Sequence, residues 1–129
     1  MRTISNFIAE KLNEMQTALP GILAEKSIDD FDKYAIGYPT DQDKKFCCVL
    51  FSEGSRTPSK ETTGYTVHLQ LPGVSETDAY KYIDAVKQHL ISGDNCENIT
   101  IAMSDNFRVS TIGVFFEVTE SEELDDCDL

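Results

Sequence analysis

Gly64-Tyr65-Thr66-Val67-His68-Leu69-Gln70-Leu71 is followed by Pro72-Gly73 and then by Ser75-Glu76-Thr77-Asp78-Ala79-Tyr80-Lys81-Tyr82-Ile83-Asp84-Ala85-Val86, leading to Leu90. In the first run Tyr65, Val67, Leu69 and Leu71 alternate with Thr66, His68 and Gln70, the period of a half-buried strand. Pro72-Gly73 stops it. Ser75 is a good N-cap and two acids follow in the first turn, so a helix starts there. Ala79, Ile83, Val86 and Leu90, joined by Tyr82 and Ile91, form its apolar stripe, and Gly93 supplies the stop. The segment thus reads strand, sharp break, helix.

Upstream, Phe46 to Phe51 is a nearly continuous apolar run, which suggests a central strand covered on both faces. Residues 53–63 between the two strands are rich in Gly, Ser, Thr, Pro and charge and read as a long hairpin loop. Tyr34, Ile36 and Tyr38 alternate in a short strand that ends at Pro39. Ile4, Ile8, Leu12, Met15 and Leu19 recur every three or four residues, so the chain opens on a helix that Pro20-Gly21 ends or kinks. Ile22 to Asp32 stays ambiguous. Downstream, Asn98 to Met103 and Val109 to Val118 alternate as two further strands, with Ser104-Asp105-Asn106 as the turn between them. Sequential strands joined by hairpins, with single-striped helices, imply an α+β fold. The expectation is a mostly antiparallel sheet with two helices packed on one face, a two-layer sandwich in the order α-β-β-β-α-β-β.

The chain has 129 residues, 40% hydrophobic and 26% charged, with a net charge of −12. This is one ordinary globular domain. Six carboxylates (Glu120, Glu122, Glu123, Asp125, Asp126 and Asp128) crowd residues 119–129 and carry half of the net charge. A single domain over 1–118 with an acidic tail over 119–129 is therefore expected, the tail solvated for lack of apolar surface. Such a tail either solubilises or docks a basic partner. The acidic balance argues against tightly bound nucleic acid and against an anionic membrane surface. No apolar run is long enough to span a bilayer, and the first residues turn amphipathic at once, unlike an export signal.

Cys47, Cys48, Cys96 and Cys127 contain no CxxC, and His68 and His89 lie far from them in sequence. No zinc or other metal site, cofactor or disulfide framework is expected, and a reducing compartment fits best. Cys47 and Cys48 are strand neighbours, so one should be a core residue and the other should face solvent or a partner. His68 reads as an exposed strand histidine on the polar side. His89 lies in the last turn of the second helix, where positive charge complements the dipole. Asp29-Asp30 and Asp41/Asp43 read as solvated turn residues. No nucleophile–base–acid arrangement is evident, so no catalytic residue is assigned; an enzyme would need Cys47, Cys48, Cys96 or His68 to converge. Tyr80, Phe115 and one of the paired cysteines are expected to face away from the helices and, with an unpaired sheet edge, to mark an assembly surface.

The 64–91 segment, the opening amphipathic helix and the closing strand Phe115-Phe116-Glu117-Val118 resemble the phage tail-terminator, or tail-completion, proteins. The likeness covers the whole length in element order and residues 64–91 and 109–118 in texture. It implies a non-enzymatic structural protein, found in the virion tail or in the bacterial cytoplasm during assembly. Such proteins form a homo-oligomeric ring, commonly a hexamer, that caps the tail tube and meets the head connector. Interface candidates on that reading are the 53–63 loop with Arg56 and Lys60, which is equally well a mobile hairpin tip, and the strand face near Tyr65 and His68. Small acidic type III secretion chaperones, dimers that hold an effector segment, share the length, acidity and element order. They carry a third helix after the last strands, which residues 119–129 are too short and acidic to form.

Overall fold

The structure, a computed structural model, describes residues 3–93, 95–106 and 110–124. Helix α1 (Ile4–Glu25) starts where the Thr3 hydroxyl accepts a hydrogen bond from the Asn6 amide at 3.1 Å. It buries Phe7, Ile8, Met15, Leu19 and Leu23, so Phe7 replaces Ile4 at the inward position of the first turn. Of the two outcomes expected at Pro20-Gly21, an end or a kink, the end is corrected: α1 runs through Pro20 to Glu25. An interior proline costs about 3 kcal/mol. Full burial of Leu23 and packing of Ile22 against the core offset a cost of that size. The chain leaves the helix through Ser27, which has φ of 60°. Phe31 then packs on Tyr34 and Tyr82, with ring centroids 5.6 and 5.1 Å away.

Strands β1 (Lys33–Ile36), β2 (Phe46–Arg56), β3 (Lys60–Pro72), β4 (Cys96–Asn106) and β5 (Thr111–Glu123) form one sheet in the order β1-β2-β3-β5-β4. Helix α2 (Glu76–Ile91) lies between β3 and β4 in sequence, and the Ser75 hydroxyl caps it by accepting from the Asp78 amide at 3.2 Å. Gly73, at φ of +67°, turns the chain between β3 and α2. The fold is α+β in the order α-β-β-β-α-β-β, and the sheet is antiparallel except for one pair. That pair corrects the expectation that sequential strands meet in hairpins: β1 and β2 are parallel, so residues 37–45 must cross over the sheet. The Gln70 amide marks their path, donating to the carbonyls of Asp41 and Lys44 at 2.9 Å each. By register Gln70 lies opposite Phe46, and His68 opposite Cys48. The crossover therefore lies on the sheet face that carries Phe46 and Cys48.

Val49, Val67 and Phe116 share the other face by register. With Phe7, Met15, Leu19 and Leu23 of α1 and Ala79, Tyr82, Val86 and Leu90 of α2, they form one core cluster. Helix α1 packs over β1 and β2, and α2 packs on α1 and β5. Beyond the core, β2 and β3 continue as a paired ribbon, with a bulge at Phe51/Glu53 and a tight turn in which the Thr57 amide donates to the Lys60 carbonyl at 2.8 Å. The expected 53–63 loop is thus mostly strand. Likewise β4 runs through Ser104-Asp105-Asn106, where a turn was expected; residues 107–109, including Val109, lie outside the described residues. The boundary at 118 is corrected as well: β5 extends to Glu123, paired with β3 to its first residue. Residues 125–129, with Cys127, lie outside the described residues. Among the described residues no helix is long and apolar enough to cross a membrane.

Candidate functional site

The four residues singled out in the sequence do not converge. Arg56 and Lys60 flank the hairpin turn, and both carry carboxylate partners from the same chain. Arg56 Nη1 lies 3.9 Å from Glu61 Oε2, and Lys60 Nζ 2.6 Å from Glu97 Oε1 on β4. The Glu97 carboxyl is held below its ordinary range by the hydrogen bonds from Lys60 and Ser121. Tyr65 is 1% exposed and points into the core, so its place on an exposed strand face is corrected. An i, i+3 spacing on a strand always splits two residues between faces, and His68 accordingly lies on the other one.

Tyr65 instead belongs to a buried polar clamp. Its hydroxyl donates to Glu120 Oε2 on β5, and Glu120 Oε1 accepts from Lys11 Nζ of α1 at 2.7 Å. Lys11 also lies 3.5 Å from Glu14 Oε2 and 5.2 Å above the Phe7 ring. Phe7 in turn meets Tyr65 edge-on at 5.5 Å. Burial, and then the charge of Glu120, pushes the Tyr65 phenol well above its ordinary range, so its proton stays. His89 lines the same cavity of about 80 Å³ and is held below its ordinary pKa by burial, against the opposing pull of Glu14. Both Glu120 oxygens are occupied, which makes this a fastening of β5 to α1 and leaves no vacant base. Sequence reasoning assigned Glu120 to the tail. The signal was present, since Ile112, Val114, Phe116 and Val118 step by two and the next step is Glu120.

On the opposite face the His68 ring stacks on Phe115, with centroids 4.4 Å apart and 8° between planes. His68 Nδ1 is buried with no hydrogen-bond partner, and burial lowers the pKa, so the ring is neutral. The expectation of an exposed histidine is corrected to a half-buried one. Cys48, its partner across the ladder, is fully buried, as is Cys47. The expectation that one of the two faces solvent is corrected, because the crossover 37–45 covers the face on which Cys48 lies. Burial pushes the Cys48 thiol up to about 11 and raises Cys47 and Cys96 as well. All three stay protonated near neutral pH, the opposite of what a nucleophilic cysteine needs. Among the described residues no group of three or more His, Cys, Asp or Glu side chains could hold a metal ion.

The remaining distinctive surface is the β4 side of the sheet, which sequence reasoning placed only as an unspecified edge. Ile99, Ile101 and Met103 share the core face by register with Val118, Phe116 and Val114. Ile99 and Ile101 are only half buried, and Met103 is 40% exposed. Ile91 at the end of α2 is 59% exposed, a correction to its expected place in the buried stripe. A groove of about 460 Å³ runs between Ile91, Lys87 and the start of β4, and a second of about 290 Å³ lies between Val74, Met103 and Ile112. Tyr80 is exposed as expected, its hydroxyl donating to Glu76 at 2.7 Å. In comparisons with known proteins, no family profile and no curated sequence matches this chain.

Proposed function

We propose that this protein is a structural assembly module of the phage tail-terminator type, a ring-forming subunit that caps a tail tube and meets the head connector. The observation that carries this reading is the open β4 side: a long edge strand beside a half-covered apolar groove, in a domain where burial raises the Cys47, Cys48 and Cys96 thiols and lowers the pKa of His68 and His89. A surface of that kind serves contact with another protein. The element order and the 64–91 segment agree with the resemblance to tail terminators. A net charge of −12 suits a ring whose lumen passes DNA without retaining its phosphates.

Light scattering and negative-stain microscopy across a concentration series, with and without tail tubes from the same gene cluster, test the reading. Closed rings of about six copies, free or on tube ends, are the expected result for a heterologous interface that closes. A dimer that persists on dilution overturns it in favour of an effector-binding secretion chaperone, and a monomer that never caps tubes overturns it outright.

A further inference from the structure

The last turn of α2 has two sides. Residues two apart on a helix lie about 200° apart, so His89 and Ile91 face opposite ways. His89 lines the cavity of about 80 Å³ that also holds the Tyr65–Glu120–Lys11 clamp. Ile91, 59% exposed, lines the groove of about 460 Å³ with Cys96 and Ile99 of β4. The turn is closed by Ser92, whose hydroxyl donates to the His89 carbonyl at 2.7 Å. The titratable groups that line the cavity with His89 are Lys11 and Glu14 from α1, Tyr65 from β3 and Glu120 from β5. Cys96 of β4 lies opposite Glu120 in the ladder, and Lys87, on α2 itself, lines the groove.

Charge in the cavity is unbalanced. With Tyr65 and His89 neutral, Lys11 is one cation beside two carboxylates. The carboxylates are held unequally. Glu120 has both oxygens engaged, by Tyr65 and by Lys11 at 2.7 Å, and its side chain is 10% exposed. The Glu14 side chain is 53% exposed, and its Oε2 lies 3.5 Å from the same Lys11 Nζ. Glu14 is therefore the one that can change partner. Imidazole is the group of this set that takes up a proton between pH 8 and pH 5. We infer that the cavity is a proton-operated joint: an imidazolium at His89 draws Glu14 off Lys11, ties α1 to α2, and rotates the last turn of α2 so that Ile91 shifts over the groove beside β4. The proton comes from solvent, and the imidazole N–H is the one covalent bond formed. Burial lowers the His89 pKa, Glu14 pulls it back up, Lys11 lowers it further and Glu120 raises it, so the exchange belongs to the acid side of pH 6.5. A monomer makes this exchange as a ring does, so the joint stands or falls independently of ring formation.

Nuclear magnetic resonance of the full chain across a pH series is the test. The chain has two histidines, so in a His68→Phe background the remaining imidazole is His89. Its titration should move to lower pH when Glu14→Gln is added. The methyl signals of Ile91 and Ile99 should step at the pH where His89 titrates, while that of Ile36, on β1 at the far end of the sheet, stays flat. His89→Gln should abolish the step. A His89 titration that Glu14→Gln leaves in place overturns the exchange of partners. Methyls of Ile91 and Ile99 that do not follow the His89 titration overturn its coupling to the groove. A step shared with Ile36, or one kept in His89→Gln, overturns the joint in favour of general loosening by acid. Glu14 is half exposed, so Glu14→Gln should keep the fold and decide the matter even if His89→Gln does not fold.

Discussion

Glu120 sits where a hydrophobic residue would satisfy the alternation of β5, and it is tolerated there because Tyr65 and Lys11 occupy its two oxygens. The Lys11 and Glu120 side chains are 17% and 10% exposed, so solvent screens the pair little. Glu120→Ala removes the closer of the two carboxylates beside Lys11, leaving Glu14 at 3.5 Å, and should cost about 2 kcal/mol in urea unfolding. Tyr65→Phe keeps the packing and removes one bond, and should cost about 1 kcal/mol. The clamp was hidden in the sequence because a carboxylate at an inward position reads as the start of a solvated tail, and its partners are 55 and 109 residues away. His68 was hidden for the converse reason. It keeps the polar period of β3, yet Phe115 from β5 covers it. His68→Phe retains the stack and removes the unpartnered Nδ1, so it should raise stability by about 1 kcal/mol. The same residue gives a pH dependence. Burial lowers the folded-state pKa of both His68 and His89 below the ordinary 6.5, so the unfolded chain binds more protons as pH drops past that value. The histidine contribution to stability is therefore complete above about pH 6.5 and is lost as pH falls below it. A melting-temperature series from pH 8 to pH 5 should decline at the acid end, with a shallower decline in His68→Phe.

The strand–break–helix segment over residues 64–91 was legible because one face of β3 and one stripe of α2 meet the same core, which writes period 2 and period 3.6 into consecutive residues. Elements that break such periods were not. Pro20 reads as a helix end, and only the burial of Leu23 one turn later shows that α1 continues. Pro20→Ala restores the missing amide donor inside the helix and should stabilise the protein by about 1–3 kcal/mol. A thermal melt shifted upward by several degrees would show it, whereas an unchanged or lower melting temperature would mean that the proline is fitted to its site. The parallel pairing of β1 was equally illegible. Tyr34 and Ile36 alternate whichever way the strand runs, and the direction follows from a crossover whose path the hydrogen bonds of Gln70 trace. That crossover decides the fate of Cys48. It also explains why Phe46 to Val49 reads as a run buried on both faces, although among these residues it is Cys47 and Val49 that join the helix side chains in the core cluster.

For the whole molecule, the proposed association between identical copies has to work against a net charge of −12. Part of that charge was expected to trail in a solvated tail, but Glu120 is buried in the clamp and Glu122 and Glu123 pair within the sheet, so the acidic character belongs to the body. Copies that approach one another therefore repel at long range. The attraction that remains is apolar contact, which salt does not screen. At 10 mM ionic strength the repulsion reaches about 30 Å, comparable to the domain itself, and at 1 M only about 3 Å. Ring formation should therefore strengthen as sodium chloride rises, the reverse of an assembly driven by complementary charge. Sedimentation velocity at fixed protein concentration across that range gives the answer directly. A ring fraction that grows with salt supports apolar contact at the β4 side, and one that shrinks assigns the contact to the charged hairpin around Arg56 and Lys60.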